Sequence, residues 1–129
     1  MKILLITNDR QIIELIQQNT HGTENELFIN LDTHDPLEVH SSVHRIHPSL
    51  MIIDDDFLNP NSVRIIRSLK DINKNFKIIF ITSNEGLELG KEISQIGVYY
   101  YALKPIQPNE LIQAVQSVIK LNKSSVQIN

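Results

Sequence analysis

Pro48-Ser49-Leu50-Met51-Ile52-Ile53-Asp54 sets four apolar side chains in a row and then a carboxylate. A run that short, apolar at every position, suits a strand covered on both faces, as strands of parallel sheets are. The same pattern returns twice. Ile78-Ile79-Phe80-Ile81 runs into Thr82, and Tyr101-Ala102-Leu103 runs into Lys104-Pro105. Two more runs lie at 3–6 and 27–31, and the last of the five covers 99–103. If the runs ending in Asp54, Thr82 and Lys104 are neighbouring parallel strands, a carboxylate, a hydroxyl and an ammonium meet at one sheet edge. Open α/β folds hold their ligand chemistry there, outside the carboxyl ends of the strands.

Between the runs the apolar spacing changes to that of helices. Ile12, Ile13, Leu15 and Ile16 form a first stripe, stopped by Asn19-Thr20-His21-Gly22. A second helix opens at Asp35-Pro36, an N-cap followed by proline at the first helical position, buries Val39, Val43 and Ile46, and ends at Pro48. A third starts near Asn61-Ser62 with Val63, Ile65, Ile66 and Leu69 inward, and a fourth covers about 86–96 and stops at Gly97. The fifth follows Pro108 with Leu111, Ile112, Val115, Val118 and Ile119 on one side. Five strand–helix units in succession predict an α/β fold: a parallel sheet with right-handed crossovers and helices on both faces. Residues 122–129 are polar and lack a stripe, so a frayed tail or the start of a linker is expected there.

Composition bounds the function. A chain of 129 residues suits one domain with one core, and 41% hydrophobic with 21% charged residues is ordinary for a soluble fold. The formal net charge of -3 offers no basic field for nucleic acid. Cysteine is absent, which excludes disulfides and thiolate metal sites. The apolar start at 3–6 is interrupted by Asn8, Asp9 and Arg10, too early for a signal core or membrane span, so a cytoplasmic location is the default expectation. His40, His44 and His47 share one side of the second helix, beside its apolar stripe, with no acidic ligand placed among them; a helix flank is expected rather than a metal site.

The order of elements and the residues at the strand ends resemble the receiver domain of two-component response regulators over roughly residues 2–121. Pro48 to Asp54 looks like that family's third strand, Ile79-Phe80-Ile81-Thr82-Ser83 its fourth, and Gly97-Val98-Tyr99-Tyr100-Tyr101-Ala102-Leu103-Lys104-Pro105 its fifth. The resemblance implies a flavodoxin-like (βα)5 doubly wound sheet of strand order 2-1-3-4-5. It implies a signalling domain rather than an enzyme, with Asp54 as phosphoacceptor and Lys104 pairing first with Asp54 and then with a phosphoryl oxygen. Thr82 and Tyr101 become the switch residues. Asp54, Asp55 and Asp56 are consecutive, and the family often has proline four residues after the acceptor, which Pro60 would satisfy for Asp56. Asp54 is preferred because it directly follows the apolar strand and keeps the third helix in register without an insertion.

The chain departs from the family at the end of the first strand. Receivers carry two acids there, which hold Mg²⁺; counting from Ile3-Leu4-Leu5-Ile6, this chain has Thr7 and Asn8. Mg²⁺ wants hard anionic oxygens, so weak or absent Mg²⁺ binding is expected. Two rescues are open. A one-residue slip would make Asn8-Asp9 the pair, with Ile13 and Ile16 replacing Ile12 and Leu15 on the buried stripe, or Asp55 or Asp56 could turn inward. The candidate ligands of such a site are Asn8, Asp9, Asp54 and Asp56.

Two functions follow. One is a phosphorelay receiver, served by a sensor histidine kinase or phosphotransfer protein and read by an output protein or domain. The other is a pseudo-receiver, a protein-interaction module that works without phosphorylation. In both, the working face is the fourth helix, fifth strand and fifth helix, where Tyr99 and Tyr100 are candidate contacts and where the resemblance would put a homodimer. A flavodoxin-like cofactor binder or enzyme is disfavoured, because Thr7-Asn8-Asp9-Arg10-Gln11 contains no glycine to cradle phosphate.

Overall fold

Five parallel strands, β1 (Lys2–Ile6), β2 (Leu27–Leu31), β3 (Leu50–Asp54), β4 (Lys77–Thr82) and β5 (Tyr100–Leu103), form one sheet in the order β2-β1-β3-β4-β5. The coordinates are a computed structural model and describe residues 1–20, 27–72 and 75–128. Helices α1 (Arg10–Thr20), α2 (Pro36–Ile46), α3 (Asp55–Leu58), α4 (Ser62–Ile72), α5 (Leu87–Ile96) and α6 (Pro108–Ile128) complete the chain. This is the doubly wound, flavodoxin-like arrangement, with the strand order that the sequence implied.

The strand runs are apolar throughout because both sheet faces are covered. Side chains alternate in direction along a strand, and the core divides accordingly. Ile3, Leu5, Leu50, Ile52, Ile79 and Ile81 pack with Ile12 and Ile16 of α1 and Leu111, Val115 and Val118 of α6. Leu4, Ile6, Met51, Ile53, Ile78 and Phe80 pack with Val39 of α2, Ile65 and Ile66 of α4 and Ile93 of α5. Each such side chain stabilises the fold by roughly 1.5–3 kcal/mol, and together they fix the sheet edge on which the site stands.

Local chemistry sets the helix ends. The Asp35 carboxylate accepts the Leu37 N–H at 3.1 Å, with Pro36 at the first helical position of α2. Asp35→Ala is expected to cost about 1 kcal/mol, seen as a lower urea midpoint at unchanged slope. At the other end His47 takes a left-handed conformation (φ 53°) and gives its N–H to the Val43 carbonyl at 2.9 Å, ahead of Pro48. Gly97 ends α5 with φ 91°, a value that favours glycine.

Two features differ from the sequence expectations. The one-turn helix α3 was not expected. It forms because the Asp54 side chain accepts the Asp56 N–H at 3.2 Å and so turns the chain directly at the strand end. The polar segment 122–128 is helical rather than frayed, since α6 runs on to Ile128. Helical backbone bonding needs no apolar stripe. Among the described residues no helix is long and apolar enough to cross a membrane.

Candidate functional site

Register brings the strand-end residues together. Ile6 pairs with Ile53, Asp54 with Ile81 and Thr82 with Leu103, so β1, β3, β4 and β5 end side by side. Asp54 is only 2% exposed, and Lys104 Nζ donates to its Oδ1 at 3.0 Å. The convergence expected from sequence is therefore present for these two groups.

Thr7 takes the other oxygen of Asp54. It is fully buried, and its hydroxyl donates to Asp54 Oδ2 at 2.6 Å while accepting the Asp9 N–H at 3.0 Å. Thr7 is thus a neutral donor whose single proton is committed to the Asp54 carboxylate.

The three consecutive acids divide the work among them. Asp55 is buried and accepts the Thr82 hydroxyl at 2.7 Å on its Oδ2. Thr82 thus bonds Asp55, although its place at the end of β4 had suggested a position facing Asp54. Asp56 Oδ2 lies 2.9 Å from Lys104 Nζ, and its Oδ1 accepts from Ser83 Oγ at 2.7 Å and from Ser83 N at 3.3 Å. Burial opposes the charge on Asp56, but the bonds from Lys104 and Ser83 outweigh it and hold the carboxyl below its usual range. Burial likewise opposes the ammonium of Lys104, and the bonds from Asp56 and Asp54 outweigh it and raise its pKa. From sequence Asp55 was raised only as an acid that could turn inward and Ser83 only as the end of the β4 motif, and neither was expected in the role seen here. The signal for them was the alternation of directions along three successive acids, readable only once the strand end was known.

The arrangement does not fit Mg²⁺. That ion keeps near-octahedral oxygen ligation and normally takes one or two free carboxylates. Both Asp54 oxygens face donors, and the Asp56 carboxylate is in an ion pair. Asn8 is exposed, and Asp9 Oδ1 accepts the Gln11 N–H at 2.9 Å as α1 begins. The buried stripe of α1 is Ile12 and Ile16, with Ile13 and Leu15 half-buried, so it matches neither register fully; the residue that stands beside Asp54 is Thr7. Asp56 does turn inward, but toward Lys104. Among the described residues no group of His, Asp or Glu is placed to hold a metal; His40 Nε2 meets Ser68 Oγ across α2 and α4, and His21 lies outside the described residues.

Tyr101 stacks on Phe80 with ring centroids 5.5 Å apart, and burial followed by the nearby Asp55 charge raises its phenol pKa. It also lines an open groove of about 500 Å³ between α5 and β5, with Leu87, Gly90 and Leu103. Leu87 is 82% exposed and Leu103 45% in this groove, beside Glu85, Lys91 and Gln95, and Tyr99 is 39% exposed in the adjoining hollow. Tyr100 points the other way, packs toward α6 and donates its hydroxyl to Glu110 Oε2 at 3.3 Å.

Comparison with known proteins agrees with this geometry. The family model for the response regulator receiver domain matches residues 3–116. The circadian input-output histidine kinase CikA of Synechocystis is 30% identical over 118 residues, covering 90% of this chain and 15% of that protein. Sporulation initiation phosphotransferase F of Bacillus subtilis is 21% identical over 121 residues, covering 94% of this chain and 96% of that protein. This chain thus spans a small part of the first relative and nearly all of the second. A crystal structure of a response regulator receiver domain protein from Methanospirillum hungatei superposes with a TM-score of 0.77 at 18% identity, covering 95% of this chain and 97% of that one. With the family model matching most of its length, this chain belongs to the response regulator receiver domain family.

Proposed function

We propose that residues 2–121 act as a phosphorelay receiver in which Asp54 accepts a phosphoryl group and the α5–β5–α6 face carries the signal. The observation that supports it most is the Lys104 ammonium 3.0 Å from the buried Asp54 carboxylate at the end of β3. An Asp54 oxygen attacks the phosphorus of a phosphohistidine donor. The new O–P bond forms as the P–N bond breaks, and its electron pair returns to the imidazole nitrogen, which takes up a proton. Lys104 neutralises charge on the transferring group, so this chain contributes positioning and electrostatics. The donor is a sensor histidine kinase or phosphotransfer protein in the cytoplasm. The reader is an output protein or domain, or a second copy of the chain, meeting Leu87, Tyr99 and Leu103.

A second reading, the pseudo-receiver, is favoured by the Thr7 hydroxyl on Asp54 Oδ2 and by the lack of a fitting Mg²⁺ site. In it the same face binds partners with Asp54 unmodified.

Acetyl phosphate and intact-protein mass spectrometry separate the two. The expected result is a base-labile gain of one phosphoryl group by the wild type and none by Asp54→Asn. No gain by the wild type would leave the pseudo-receiver reading standing, and an equal gain by Asp54→Asn would move the acceptor elsewhere.

A further inference from the structure

A phosphoryl group on Asp54 would carry about -1.5 to -2 charge and need several donors around it. The donors closest to that position are already engaged. Lys104 Nζ reaches Asp56 Oδ2 at 2.9 Å, as close as its 3.0 Å contact with Asp54. The first residue after β4, Ser83, gives both its hydroxyl and its N–H to Asp56 Oδ1, at 2.7 and 3.3 Å. One carboxylate therefore ties the end of β4 to the end of β5, using both of its oxygens. Asp56 is held against Asp54 as well, since its N–H donates to Asp54 Oδ1 at 3.2 Å.

A plain surface ion pair would leave one oxygen to water and would not involve the backbone of a second strand. Here the acid sits two residues after the acceptor and collects an ammonium, a hydroxyl and an amide, the kinds of donor that an anion on Asp54 would need. Its side chain remains a third exposed, so it has room to swing outward.

We propose that the Asp56 carboxylate is an internal anion that stands in for the phosphoryl group, holding Lys104 and Ser83 in their anion-bound positions while Asp54 is unmodified and leaving when Asp54 is modified. The leaving step rests on the reading of Asp54 as acceptor; the holding of Lys104 and Ser83 does not. Two consequences follow. The start of the β4–α5 loop is ordered without phosphorylation, and phosphoryl uptake has to overcome a like charge already in place.

The test uses Asp56→Asn, which keeps the shape and removes the charge, with Ser83→Ala as a milder second variant. In amide and lysine-selective NMR without any phosphoryl donor, Asp56→Asn should shift the signals of Ser83, Asn84 and Lys104. With acetyl phosphate, labelling of Asp56→Asn should be about fivefold faster than wild type, the Boltzmann factor for removing one like charge at about 4 Å under water-like screening. Ser83→Ala should move the rate in the same direction by less. Unmoved Ser83 and Lys104 signals would overturn the proposal, and so would an unchanged or slower labelling rate. If neither wild type nor variant is labelled, the acceptor reading fails, and the NMR shifts alone decide whether Asp56 holds the two donors.

Discussion

Lys104→Met should lower stability by about 3 kcal/mol at neutral pH, the low end for removing one partner of a buried ion pair. The low end applies because 21% of the lysine side chain still meets solvent, whereas Asp54 is 2% exposed. Methionine keeps most of the apolar stem and deletes the charge, so the loss reports electrostatics rather than packing. It leaves the Asp54 and Asp56 carboxylates facing each other with Thr7 and Ser83 as neutral donors. Urea unfolding of the two proteins measures the gap; a difference within experimental scatter would mean that water already solvates these acids.

The pH dependence of that gap has a definite sign. The Lys104 pKa is raised in the fold, so its stabilisation is whole below the ordinary lysine value and lost as pH rises through the higher folded one. The Asp56 pKa is lowered, so its share is whole above the ordinary carboxylate value and lost as pH falls through the lower folded one. The difference between wild type and Lys104→Met is therefore expected to be flat between about pH 5 and 9 and to narrow on both sides. Acetyl phosphate labelling should fall together with stability in this variant, since the charge that neutralises the transferring group has gone.

Thr7→Asp/Asn8→Asp should make the protein's stability depend on Mg²⁺. Without metal the double variant is destabilised, because residue 7 would present a carboxylate where Thr7 now donates to Asp54 Oδ2 at 2.6 Å. Two acids that close cannot both ionise freely. A dication removes the conflict. Each added unit charge about 4 Å from Mg²⁺ brings gross attraction of roughly 8 kcal/mol at an effective dielectric of 20, most of it offset by hydration. A remainder of about 2.7 kcal/mol is a hundredfold gain in affinity. Calorimetric titration, and thermal unfolding with and without magnesium chloride, should show a large metal effect in the double variant and little in the wild type. Equal affinity in the two proteins would mean that residues 7 and 8 do not limit metal binding.

Much of this was legible from residue order. The runs at 50–53 and 78–81 are apolar at every position because alternate side chains enter opposite halves of the core, as Leu50 and Ile52 do against Met51 and Ile53. Asp35-Pro36 and Gly97 marked helix ends through backbone preferences that act within a few residues. The meeting of Asp54 and Lys104 was legible as well, since parallel strands in the order 2-1-3-4-5 bring their carboxyl ends to one edge. Less legible were α3, which depends on an Asp54 side chain that can cap or face the site, and the helical state of 122–128, which no apolar stripe announced.

The sequence by itself determined the parallel sheet, through local spacing and residue type, while its resemblance to the receiver family implied the carboxylate beside a lysine and pointed to Thr7 and Asn8 in place of two acids after β1. Only the tertiary structure decided how the three acids divide: Asp54 to Thr7 and Lys104, Asp55 to Thr82, Asp56 to Lys104 and Ser83. Those choices turn on side-chain directions at a strand end where the chain bends into a helical turn. Each carboxylate there selects among donors brought from distant segments, and a one-dimensional pattern does not encode that competition.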